Sequence, residues 1–117
     1  NPSWSSSQVM PKDLSRQKDI EQGIIKVAND VIDRLSRHHQ KAGRIRLGLG
    51  YANGVTDKNG RTSYSHEITI EPTAERKLLT DHLLGIFHQA WSGAAVRNIS
   101  IALSRLSDAN TQQISLF

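Results

Sequence analysis

Cysteine is missing from all 117 residues, which excludes a disulfide scaffold and any thiolate metal site. A reducing, cytoplasmic setting fits that composition. No apolar run approaches the roughly 18 residues of a membrane-spanning helix. The start, NPSWSSSQVMPKDL, lacks the apolar centre of a signal peptide. The expectation is a cytoplasmic chain with no membrane partner. Its first residue is Asn1 rather than methionine, which suits a cut fragment or a processed chain. The length suits one domain with one core.

Recognisable catalytic signatures are also missing. There is no Gly-x-Ser-x-Gly elbow, no Walker phosphate loop and no Gly-x-Gly-x-x-Gly. Asp13, Asp19, Asp30, Asp33, Asp57, Asp81 and Asp108 are scattered. They do not make the acidic cluster of a two-metal site. His38 and His39 are adjacent, so on a helix they splay about 100° apart. His82 and His88 are also misplaced for sharing an ion. No metal site is expected, no catalytic residue, and no cofactor for this chain.

Acidic residues are absent from Arg34 to Thr56, where Arg34, Arg37, Lys41, Arg44 and Arg46 fall. The net charge is +4. A block of one sign suits a polyanionic partner, and it equally suits a solvated face.

The patterned segments follow in a clear order. PSWSSSQVM reads weakly as a strand. Ile20, Ile24, Val27, Val31 and Leu35 recur at helical spacing, and Ile25, Ala28 and Ile32 widen the stripe. That predicts a helix from about Lys18 to Gln40, ended by Ala42-Gly43, with His38 and His39 at the negative end of its dipole. In RIRLGLGY, Ile45, Leu47, Leu49 and Tyr51 alternate with Arg44, Arg46, Gly48 and Gly50, which predicts a strand. Asn53-Gly54 and Asn59-Gly60 mark a long loop. A second strand in SYSHEITI puts Tyr64, His66, Ile68 and Ile70 on one face. Glu71-Pro72 breaks it. Thr73 then caps a helix from Ala74 to about Trp91, buried through Leu79, Leu83, Ile86, Phe87 and Ala90 and stopped by Ser92-Gly93. The last strand is VRNISIALSRL, with Ile99, Ile101 and Leu103 inward.

The predicted fold class is α+β: a four-stranded, largely antiparallel sheet in the order β-α-β-β-α-β. Two helices can cover only one face of it. The other face would carry Arg44, Arg46, Gly48, Gly50, Ser65, Glu67, Thr69, Ser100 and Ser104. Such a face admits close approach by a backbone, or is simply wet, as is usual for antiparallel sheets. Tyr51 and Tyr64 fall on the core side, so base stacking of the RRM kind is not supplied, and the KH clamp Gly-x-x-Gly is absent. Backbone contact with nucleic acid remains.

In this order the segments resemble the C-terminal little finger domain of bacterial Y-family translesion DNA polymerases, on the UmuC-like (ImpB/MucB/SamB) branch. VRNISIALSRL is similar to that domain's last strand. SQVMPKDLSRQKDIE is similar to the approach to its first helix, and YSHEITIEPT to the passage from third strand to second helix. QISLF resembles the peptide that binds the bacterial sliding clamp. The resemblance covers essentially the whole chain and implies two parts: residues 1–106 as the DNA-binding domain and residues 107–117 as a tail.

The resemblance implies a parent polymerase acting in DNA damage repair and the SOS response. Its catalytic carboxylates and magnesium would lie in domains outside this chain. The fragment itself is then no enzyme. It grips primer–template backbone through Arg44, Arg46, Gly48, Ser65, Arg97, Ser100 and Ser104, and its partners are that DNA, the rest of the polymerase and the clamp. Gln113, Ile114, Ser115, Leu116 and Phe117 form the clamp peptide. The sequence departs from the family at Pro2-Ser3-Trp4-Ser5, at Tyr64-Ser65-His66-Glu67 and at Ser100, where lysine, arginine and glycine respectively are common. The first two changes remove cations, which shifts weight to Arg44 and Arg46. Apart from the resemblance, an RNA- or ribosome-binding α/β domain and a protein-interaction domain without a nucleic-acid role also suit the charge and the open face.

Overall fold

The computed structural model describes residues 2–109. Six elements follow one another: β1 (Trp4–Leu14), α1 (Gln17–Arg37), β2 (Gln40–Tyr51), β3 (Ser63–Thr73), α2 (Arg76–Ala90) and β4 (Val96–Asp108). The strands make one sheet in the order β1-β4-β2-β3, and every neighbouring pair is antiparallel. Both helices pack on one face of the sheet, as the apolar periods require. Ile20, Ile24, Val31, Ile32 and Leu35 of α1 are fully buried against Ile45, Leu47, Ile99, Ile101 and Leu103 of the sheet. Leu79, Leu83, Ile86 and Phe87 fill the other half of the layer. Ile25 lies at the edge of its stripe and stays exposed.

The two helices run antiparallel and are joined by polar pairs at both ends. His88 meets Glu21 at one end. At the other, Arg76 holds Asp33 at 2.5 Å and the Asn29 side-chain oxygen at 2.8 Å.

The first helix is shorter than its apolar period suggests. It stops at Arg37, and β2 has begun by Gln40. Leu35 is the last buried stripe residue, because His38 and His39 offer nothing apolar for the next turn. His38 is the C-cap, its ring nitrogen 2.8 Å from the Arg34 carbonyl. His39 turns the chain at φ +52° and donates its amide to the Ser36 carbonyl at 3.0 Å, so its backbone, and not its ring, serves the helix end. The Trp4 indole N–H then fixes the start of β2 by donating to the Gln40 side chain at 2.7 Å. Ala42, expected to end the helix, is instead a buried strand residue.

Glu71-Pro72 does not break β3, which continues to Thr73. β3 is an edge strand, where proline's missing N–H is tolerated, and the register shifts opposite it between Ala42 and Arg44. Thr73 accepts a bond from the Glu75 amide at 3.0 Å, but the N-cap of α2 is Glu75. Trp91 lies beyond the helix and donates its indole N–H to the Ala94 carbonyl. The loop between β2 and β3 has Gly54 and Gly60 at positive φ. Asp57 closes it by accepting from the Asn59 and Arg61 amides.

Gly85 lies inside α2, and a Cβ added there would meet nothing within 4 Å. A helix-interior glycine costs about 0.5–1 kcal/mol relative to alanine. Gly85→Ala is therefore expected to raise the melting temperature by about 2–6 °C. An unchanged or lower melting point in a thermal scan would contradict that.

Three carboxyls are held below their ordinary range by hydrogen bonds: Glu21 first by His88, Asp30 first by Ser6 and then Arg34, and Asp57 first by the Arg61 amide. A depressed folded value stabilises the fold above the unfolded pKa, and that stability is lost as pH falls through the folded value. The domain should thus hold constant stability at neutral pH and lose it below roughly pH 4, where these acids protonate in the unfolded chain. Urea midpoints measured between pH 7 and 3 test this, and a midpoint that rises on acidification would refute it.

Candidate nucleic-acid interface

The uncovered face of the sheet is organised by register. Residues opposite one another across the strands make straight rows. One row runs Ser7, Ser100, Gly48, Ser65. The next runs Ser5, Ala102, Arg46, Glu67. The third holds Ser104, Arg44 and Thr69. The strand residues between them point to the helix side, which is why strict alternation in the sequence builds this face.

Hydroxyls and glycines leave the middle of the face low. A depression of about 300 Å³ is lined by Ser5, Ser6, Ser7, Arg46, Ser100 and Ala102, with Ile101 at its base. Gly48 makes room for its neighbour across the strands, since a Cβ there would sit 2.4 Å from the Ser100 Oγ. The Ser100 hydroxyl therefore occupies space that Gly48 leaves.

The cations on this face are preorganised by β3. Arg46 donates to the Ser65 Oγ at 3.2 Å. Arg44 donates to the Thr69 Oγ1 at 3.5 Å and lies 4.0 Å from the Glu67 carboxylate. These contacts are exposed and weak, so both guanidiniums keep donors for an incoming anion. Glu67 subtracts one charge from the middle of the row.

Six of the seven predicted contact residues are thus brought together: Arg44, Arg46, Gly48, Ser65, Ser100 and Ser104. Arg97 is set apart. Its guanidinium donates to the Met10 carbonyl at 2.8 Å and to Asp13 at 3.0 Å, which ties β4 to the edge strand β1. Arg105 joins the face without having been expected there. Alternation from Leu103 would turn it toward the helices, but it takes φ +51° opposite Gly43. It lines a shallow hollow with Ser3, Arg44, Glu67 and Ser104. A left-handed residue of this kind leaves no mark in an apolar period. The described aromatics Trp4, Tyr51, Tyr64 and Trp91 all pack on the helix side. Gln113, Ile114, Ser115, Leu116 and Phe117 lie outside the described residues.

Among the described residues no group of three His, Asp or Glu side chains could hold a metal ion. No helix of the described residues is long and apolar enough to cross a membrane.

The profile of the impB/mucB/samB family C-terminal domain matches residues 1–116. This chain belongs to that family. It is 32% identical over 116 residues to UvrX of Bacillus subtilis (strain 168), a candidate UV-damage repair protein. The match takes in 98% of this chain and 27% of UvrX, so the chain spans about a quarter of that relative. Among solved structures, the little finger domain of PolIV in complex with the beta-clamp processivity factor superimposes with a TM-score of 0.67 at 14% identity. It covers 98% of both chains. The insertion ternary complex of Dbh DNA polymerase gives 0.64 at 14% identity, covering 92% of this chain and 29% of that one. These likenesses establish the little finger fold. The expected α+β class, with two helices on one face of a β1-β4-β2-β3 sheet, is the fold observed.

Proposed function

We propose that this impB/mucB/samB domain grips primer–template DNA by its backbone, as the C-terminal domain of a longer translesion DNA polymerase. The observation that carries the reading is the three-rowed open face. Arg44 and Arg46, with Arg105 at the rim, stand there in a field of hydroxyls and glycines, and no aromatic ring among the described residues is placed to stack on a base. Such a surface can donate to phosphates and admit a duplex closely, but it has no means of reading base edges. Binding is therefore sequence-tolerant and strongly salt-dependent.

Nucleotidyl transfer, and the magnesium it uses, belong in this reading to other domains of the parent polymerase. The chain contributes grip and position, in the bacterial cytoplasm, during repair of damaged DNA. Its tail, Gln113 to Phe117, docks on the bacterial sliding clamp. The clamp complex of the PolIV little finger supports this by showing a domain of the same fold beside that partner.

The decisive experiment is a binding comparison on one protein. Primer–template duplexes of unrelated sequence, titrated between 50 and 200 mM salt, should give equal affinities and a common steep slope. Structured RNA should bind more weakly. Tighter binding to RNA, or no DNA binding at low salt, would sink the proposal.

A further inference from the structure

On the helix side, a second basic surface lies between β1 and the first half of α1. Met10, Lys12 and Leu14 alternate along β1, so their side chains share one side of the strand. Lys18, Gln22 and Lys26 recur every four residues on α1, with Asp19 and Gly23 beside them. Together these eight residues line an open trough of about 550 Å³. Met10 and Leu14 are buried members of the core and give the trough an apolar floor. Gly23 deepens it from the helix side, because the helix lies so close to the sheet that a Cβ there would be 2.8 Å from Ile99.

The charges of this trough differ from those of the rest of the helix layer. Several cations elsewhere are paired with carboxylates: Arg34 with Asp30, Arg76 with Asp33, Lys77 with Asp81 and Arg97 with Asp13. Lys12 and Lys26 have no carboxylate in salt-bridge contact among the described residues, and Asp19 is the trough's one acid. The cation type differs too. The open face uses arginine, whose planar fork suits phosphate, whereas the trough uses lysine alone, a flexible point charge.

We infer that this trough is a docking site for an acidic peptide with one large apolar side chain. The apolar chain would seat on Met10, which adapts readily to a guest, and on Leu14. Flanking carboxylates would meet Lys12, Lys18 and Lys26. From Lys18 to Lys26 the helix rises about 12 Å, the span of roughly four residues of extended chain. The trough and the Arg44–Arg46 face lie on opposite sides of the sheet. A peptide and DNA can therefore be held together, and either site can fail without the other.

The test is a nuclear magnetic resonance titration of the 117-residue chain with the blocked peptide Asp-Glu-Phe-Glu-Asp. Amide shifts should saturate at residues 10–14 and 18–26. Changing the peptide's phenylalanine to alanine, or its acids to amides, should weaken binding at least tenfold. So should the K12Q/K18Q/K26Q variant, which alters exposed side chains and should keep its melting temperature. If that variant melts lower, K12Q/K26Q alone should still weaken binding at least threefold. The inference is overturned if no saturable shift appears at those residues or if the alanine peptide binds equally well. It is also overturned if a thymidine octamer binds there more tightly than the peptide.

Discussion

Arg44→Ala together with Arg46→Ala is expected to lower affinity for primer–template DNA on the order of a hundredfold at low salt. In the proposed mode each guanidinium would make a charge-assisted bond to a phosphate, and such a bond contributes about 1.5 kcal/mol net. Two of them amount to roughly a hundredfold in the binding constant. The loss should be the same for every DNA sequence, because contacts to phosphate carry no direct sequence information. The salt dependence should change with it. If about three to five cations reach phosphates, the log–log slope lies roughly between −3 and −5, and removing two flattens it by about 2. Glu67→Gln is the control of opposite sign. It removes the acid 4.0 Å from Arg44 and should tighten binding by about two- to fivefold, the range of an exposed pair. Fluorescence anisotropy at three salt concentrations measures all of this. A double variant with an unchanged slope would show that the open sheet face is not the DNA surface.

Elements built on repetition were legible in the sequence, and elements built on a single exception were not. The α1 stripe from Ile20 to Leu35 and the alternation from Arg44 to Tyr51 each repeat their message several times. They place the helices, the sheet and the face that holds Arg44, Arg46, Gly48, Ser65, Ser100 and Ser104. The ends of elements depend on one or two side chains. Gln40 begins β2 because the Trp4 indole finds it from 36 positions away, and local propensity carries no trace of such a contact. Thr73 has the chemistry of an N-cap and does bond the Glu75 amide, yet the sheet claims its backbone.

Arg97 and Arg105 show the same limit within the site. The resemblance to the family's last strand, rather than the alternation of VRNISIALSRL, brings Arg97 into the expected contact set. Met10 and Asp13, 87 and 84 positions away, take up its guanidinium instead. Arg105 belongs by alternation to the core side, and one backbone torsion moves it beside Arg44. A pattern argument assigns faces by parity, so one left-handed residue is enough to exchange them. Cation strength on the open face therefore depends on one position that periodicity misplaces, Arg105, and on two, Arg44 and Arg46, that it places well.

The second large effect concerns the tail and separates binding from folding. Leu116→Ala with Phe117→Ala is expected to lower affinity for a bacterial sliding clamp by more than tenfold. A short extended peptide must be ordered on binding, and that cost leaves affinity to a few anchors. Leu116 and Phe117 are adjacent large apolar residues in QISLF. Burial of each in a cleft contributes about 1.5–3 kcal/mol, so losing both exceeds a tenfold change several times over. In the proposed mode Gln113 would set the register by hydrogen bonding, and Gln113→Ala should have a smaller effect. The fold should not respond. The core described above draws on residues from Met10 to Leu103, and β4 ends at Asp108 before the peptide begins. The double variant should keep its melting temperature and its full affinity for primer–template DNA. Calorimetry against the clamp and a thermal melt on the same preparation decide the matter. If the variant melts markedly lower, the two side chains belong to this domain's own packing, and the peptide is not a clamp ligand.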